Sequence, residues 1–80
     1  MPNVKTTIIN IMREVLELER EFSEAELTME TIDNWDSLSH LEIMAGIEEE
    51  FGIELDVDEM VEMTSLEAIL RILNGRIYGE

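Results

Sequence analysis

Asp36, Ser37 and His40 fall within one short run, Trp35-Asp36-Ser37-Leu38-Ser39-His40-Leu41-Glu42, at the head of the most regular stretch of the chain. A carboxylate, a hydroxyl and an imidazole are the parts of a nucleophilic hydrolase. Catalytic triads, however, assemble from separated parts of a fold, and nothing near these residues suggests an oxyanion hole. His40 reads instead as a surface residue flanking Ser37, with contact to a partner as the lesser alternative. A different chemistry fits the spacing better. Asp36 is a good helix N-cap, because its carboxylate can accept from the free N–H groups of the first turn. Ser37 then becomes the first helical residue, where those N–H groups and the helix dipole favour an anion. A phosphate ester on the Ser37 hydroxyl would sit at the positive end of that helix. Serine near a helix start is common, so the pair alone is weak evidence.

The helix opened by Ser37 is expected to run to about Phe51 and stop at Gly52, a good residue for leaving a helix. Leu41, Met44, Ile47 and Phe51 recur at helical spacing, with Ile43 beside them, and predict the buried face. Gly46, inside this helix, costs about 1 kcal/mol relative to alanine, which predicts a close approach by a neighbouring element. A first helix is expected from Asn3 or Val4 to Glu19 or Arg20. Ile8, Ile11, Met12, Val15 and Leu16 form its apolar stripe, and Arg13, Glu14, Glu17 and Arg20 its charged face. Between Glu21 and Asp36 the periodicity fails. Ser23 with Glu26 reads as a capping box for a single turn, and Leu27, Met29, Ile32 and Trp35 read as anchors laid over the core. Ile53 to Leu55 reads as extended. Asp56 with Glu59 caps a short helix from Val57 to Met63. Thr64 to Glu67 reads as a further capping box, opening a last helix with Leu66, Ile69, Leu70 and Leu73 on its apolar face. Asn74-Gly75 should end that helix, with Arg71 and Arg76 near its C-terminus. The fold class is all-α: a bundle of three main helices and one short helix, with a long loop between the first two.

Composition narrows the function. The 80 residues make one domain, spanning residues 1–80, and the 45% hydrophobic content is enough for a core. With 20 acidic against 5 basic residues, the formal charge is −15. Such a field repels nucleic acid and anionic membranes and attracts basic protein surfaces. It also opposes self-association, so a monomer is expected. The absence of cysteine removes disulfides, thiolate metal sites and cysteine nucleophiles. The carboxylates near Asp33 and Asp56 lack the spacing and central glycine of an EF-hand, so no metal site is expected. Met12, Met44, Met60 and Met63 read as adaptable core filler. No run is long and apolar enough to span a bilayer, and the start of the chain lacks the apolar stretch of a secretion signal. A cytoplasmic location is the default expectation.

The run WDSLSHLEIMAGIEEEFGIEL, from Trp35 to Leu55, resembles the modification site and second helix of acyl carrier proteins and the related peptidyl carrier domains. The length, acidity and long first loop resemble that family too. The resemblance implies a small acyl-carrier-like bundle in which a phosphopantetheinyl transferase moves 4′-phosphopantetheine from coenzyme A onto Ser37. Asp36 and Leu38 complete the attachment motif. The thiol of the arm would hold an acyl group as a thioester, and the chain itself would catalyse nothing. Leu38, Glu42 and Ala45 fall where family members meet their partner enzymes, although Ala45 occupies a place where a larger residue is familiar. Glu48, Glu49, Glu59 and Glu62 would add recognition by the basic patches of acyl-loading and acyl-processing enzymes; the plainer reading of each is a solvated surface. Fatty acid, polyketide or related biosynthesis would be the setting. A peptidyl or aminoacyl carrier of nonribosomal peptide assembly is the nearest alternative. An unmodified acidic adaptor that binds a basic partner through the second helix is an alternative of another class.

The charge generates a prediction about stability. Self-repulsion at a formal charge of −15 works against the compact state and is screened by ions. The melting temperature is expected to rise across a titration with sodium chloride, and again with millimolar magnesium. A flat or falling series would show that repulsion does not limit stability.

Overall fold

Asn3 starts the first helix by accepting hydrogen bonds on its side-chain oxygen from the amides of Lys5 and Thr6, at 2.8 and 3.4 Å. The computed structural model describes residues 3–77. Its elements are α1 (Val4–Leu16), a single 3-10 turn (Glu24–Glu26), α2 (Ser37–Phe51), α3 (Val57–Glu62) and α4 (Leu66–Ile77). The all-α architecture expected from the periodicity is present. One isolated backbone bridge, between Thr28 and Ser65, ties the long loop to the start of α4.

α1 stops earlier than the sequence pattern predicts. Glu17 turns into the left-handed region (φ 51°) and donates its N–H to the Arg13 carbonyl. Leu18 and Phe22 fold back to pack against the core, and the Asn34 side chain takes the Leu16 carbonyl at 3.1 Å. Arg20 is therefore off the helix, with its guanidinium 3.8 Å above the Phe22 ring. The loop is anchored as expected by Leu27, Ile32 and Trp35, all buried, with Met29 half-buried. Its backbone is joined to the segment before α4, with Met29 N–H donating to Thr64 O and Leu66 N–H to Leu27 O, both at 2.9 Å.

α2 has the boundaries that its capping residues predict, but its buried face is rotated from the expected one. Ile43, Met44 and Ile47 are buried, whereas Leu41 is 58% exposed. Ile43 lies one turn before Ile47 on the face turned to α1, and Leu41 falls on the stripe shared by Leu38 and Ala45. The close approach expected at Gly46 is real: a Cβ there would lie 3.2 Å from Ile11 Cγ2 of α1. Gly52 then leaves α2 at φ 65°.

α3 is one residue shorter than expected, with Met63 as its C-cap, fully buried. The cap of α4 is Ser65 rather than Thr64. Its hydroxyl accepts from the Ala68 amide at 3.1 Å, while Thr64 serves the bridge to the loop. α4 also runs through Asn74-Gly75 to Ile77, because its last turn is held from the side. Arg76 pairs with the Glu59 carboxylate and donates to the Glu54 carbonyl.

The tight α1–α2 crossing predicts different results for two substitutions. In Gly46→Ala, the helix gain of about 1 kcal/mol offsets the small displacement forced on Ile11, leaving stability unchanged within about 1 kcal/mol. Gly46→Val cannot fit without moving α1 and should lose about 1–3 kcal/mol, as overpacking does. Urea unfolding of the two variants checks both.

Candidate functional site

Asp36 organises the head of α2. Its carboxylate accepts from the Ser39 N–H at 2.9 Å, and its carbonyl accepts from the His40 N–H at 2.8 Å. The Ser39 N–H, and next the Ser39 hydroxyl, hold the Asp36 carboxyl below its usual range. Two hydroxyls are available in this turn, and the geometry separates them. Ser39 Oγ lies 2.7 Å from the Asn34 carbonyl and 3.0 Å from the Asp36 carboxylate, so its proton is already placed. Ser37 is exposed, and its hydroxyl forms no hydrogen bond among the described residues. The hydroxyl open to reaction is therefore that of the first residue of α2, at the positive end of a helix 15 residues long.

Trp35 and His40 brace this turn from below. Trp35 is buried and donates its indole N–H to His40 Nδ1 at 3.0 Å. The other ring nitrogen of His40 lies 2.7 Å from the Met60 carbonyl on α3. His40 is thus a half-buried bridge rather than the surface residue expected from its neighbours. Tied on both sides, its ring is not free to act as a base toward Ser37.

The charges around the site are unevenly used. Among the described residues, Lys5, Arg13, Arg20 and Arg76 pair with Glu24, Glu21, Glu26 and Glu59. None of these cations stands on α2. Glu42, Glu49 and Glu62 are exposed, as are Leu38 (68%) and Ala45. Glu48 is half-buried and accepts from the Leu55 N–H at 2.8 Å. Glu59 accepts from the Asp56 N–H at 2.9 Å and also pairs with Arg76, which hold its carboxyl below the usual range. Of the acidic residues expected to meet partners, Glu48 and Glu59 therefore hold loop and helix ends, while Glu42, Glu49 and Glu62 face solvent. The sequence reading missed Leu41, Val57 and Val61, which are 58%, 73% and 68% exposed. The signal for Leu41 was its i,i+3 relation to Leu38, and for Val57 and Val61 their i,i+4 spacing on a helix too short to bury both.

Residues 6–73 match the family model described as a phosphopantetheine attachment site. The chain is also similar to a protein named acyl carrier protein from Buchnera aphidicola subsp. Baizongia pistaciae (strain Bp). The two are 32% identical over 79 residues, covering 98% of this chain and 100% of that relative. The chain belongs to the acyl carrier protein family. No solved structure gives a significant match.

The group that this family carries is 4′-phosphopantetheine, and the head of α2 fits it. A phosphodiester needs an accessible hydroxyl, room for a long chain and no opposing fixed carboxylate. Ser37 supplies the hydroxyl, exposed Leu38 borders it, and the Asp36 carboxylate is turned to Ser39. Among the described residues, no group of three or more histidine, aspartate or glutamate side chains could hold a metal ion. No described helix is long and apolar enough to cross a membrane.

The cap has a defined pH response. The folded Asp36 is held below its usual range, so its contribution is present above the unfolded value of about 3.9. That contribution is lost as pH falls through the lower, folded value. The Ser39 amide resonance in NMR spectra is expected to follow this single titration below about pH 4. In Asp36→Asn that titration should vanish while α2 stays capped.

Proposed function

We propose that Ser37 bears 4′-phosphopantetheine and that the chain is a non-catalytic acyl carrier. The observation that carries this reading is the exposed, unengaged Ser37 hydroxyl at the capped start of α2, with its neighbour Ser39 already bonded. In the loading step, catalysed by a phosphopantetheinyl transferase, Ser37 Oγ forms the new O–P bond. The pyrophosphate bond of coenzyme A breaks, the adenosine bisphosphate leaves, and the hydroxyl proton passes to the transferase. The arm supplies a thiol that holds cargo as a thioester, in a chain with no cysteine of its own.

What this chain contributes is placement and recognition. The helix N-terminus favours the phosphodiester anion, and the fixed turn from Trp35 to His40 presents it at one point of the surface. Partner enzymes are read by Leu38, Leu41 and Ala45 on α2 and Val57 and Val61 on α3. Glu42, Glu49 and Glu62 lie around these apolar residues and steer basic patches toward them. Glu48 and Glu59 support that surface from within. An acyl cargo, handled by discrete enzymes of fatty acid, polyketide or related biosynthesis, suits so acidic a carrier better than a peptidyl or aminoacyl cargo. The one-domain organisation, monomeric state and cytoplasmic location belong to the same reading.

The test is the intact mass of the protein after incubation with coenzyme A and a broad-specificity phosphopantetheinyl transferase. Wild type should gain one phosphopantetheine, and Ser37→Ala none, with Ser39→Ala modified like wild type. Folded wild type that two different transferases leave unmodified would overturn the proposal in favour of an acidic adaptor. Loading by an acyltransferase but not by an adenylating enzyme is the expected second result, and the reverse would assign a peptidyl carrier.

A further inference from the structure

Among the described residues, one hydrogen bond joins α2 to α3, between His40 Nε2 and the Met60 carbonyl at 2.7 Å. The opposite ring nitrogen accepts from the Trp35 indole N–H at 3.0 Å. A carbonyl can only accept and an indole N–H can only donate. Both bonds form together only when the imidazole is neutral with its proton on Nε2. α3 has few other ties. It is six residues long with no buried residue of its own; it rests on the core through half-buried Met60 and through Met63, its buried C-cap, and on α4 through the Arg76–Glu59 pair.

We propose that His40 is a positioning residue, a proton-sensitive tie that sets where α3 lies against α2. It thereby sets where Val57 and Val61 stand relative to Leu38, Leu41 and the arm-bearing end of α2. Adding a proton places an N–H on Nδ1 opposite the indole N–H. Two donors then face each other, and the ring must give up Trp35 or swing away with loss of Met60. Imidazole is the side chain whose ordinary titration falls between about pH 5 and pH 8, and the neutral form alone satisfies both partners at once.

The charged groups on the surrounding elements do not rescue the protonated form at short range. On α2 and its cap these are Asp36 and Glu42, on the loop Asp33, and on α3 Glu59 and Glu62. The Asp36 carboxylate is taken by Ser39, and that of Glu59 by the Asp56 N–H and Arg76. Asp33, Glu42 and Glu62 are exposed. Among the described residues, the ion pairs do not include His40.

The consequence for docking rests on the carrier reading, but the tie itself is measurable on the unmodified protein. The lone histidine and lone tryptophan give unambiguous NMR signals. Hydrogen-exchange protection of the Met60 and Met63 amides and of the Trp35 indole should fall several-fold as His40 protonates. Protection of the Met12 amide in α1 should hold. His40→Gln presents one acceptor and one donor without titrating, so it should keep α3 protected across the same range. Trp35→Phe removes the facing donor and should also flatten the pH profile, which decides the matter if the glutamine variant does not fold. Unchanged α3 protection through the His40 titration in wild type, or an equal fall in His40→Gln, would overturn the proposal. Failure of Ser37 to be modified would leave it standing.

Discussion

The burial of Trp35 at the foot of α2 is the constraint on which the rest of this structure depends. An indole of this size removes a large apolar surface from water, but its N–H must find an acceptor once buried. The acceptor is His40, one turn into α2. That pairing fixes the chain on both sides of Asp36, and with it the orientation of the cap carboxylate, the direction in which α2 begins and the exposure of Ser37. The same residue binds the Met60 carbonyl, so the anchor of the long loop also bears on α3. A hydroxyl on a mobile loop would sample many positions. Here it is held by a buried ring, a cap and a helix axis.

Charge is divided in a way that serves the same end. The chain carries few cations, and four of them pair with acids around α1, the long loop and the α3–α4 contact. These exposed or half-exposed pairs contribute little stability individually. Their larger effect is on the map of charge that remains. Among the described residues no ion pair involves α2, and its acidic side chains lie beside exposed apolar ones. In general, a long-range charge field speeds encounter and short-range apolar contact fixes register, and this surface carries both features.

α2 bears two apolar faces, and this explains both its sequence and the misplacement of Leu41. Ile43, Met44 and Ile47 fill the core against α1, where Gly46 lets the Ile11 side chain come close. Leu38, Leu41 and Ala45 point to solvent on an adjacent stripe. Apolar spacing alone cannot say which of two neighbouring stripes a helix buries. The choice is made by what α1 presents to it and by the side from which the loop arrives.

The sequence by itself determined the helical class, the bounds of α2 between Asp36 and Gly52, the buried loop anchors and the candidate serine. Each follows from local chemistry: a carboxylate one residue before a periodic run, a glycine after it, large apolar residues in an otherwise irregular segment. Only the tertiary structure decided where α1 ends and that α4 continues past Gly75, because Asn34 reaches the end of α1 from the loop and Arg76 is held by Glu59 and the Glu54 carbonyl. It alone separated Ser37 from Ser39, since the carbonyl that engages Ser39 belongs to the loop backbone. It also decided that Glu48 and Glu59 brace the fold and that His40 is a bridge. Those roles come from partners brought together by folding, and residue type and spacing carry no record of them.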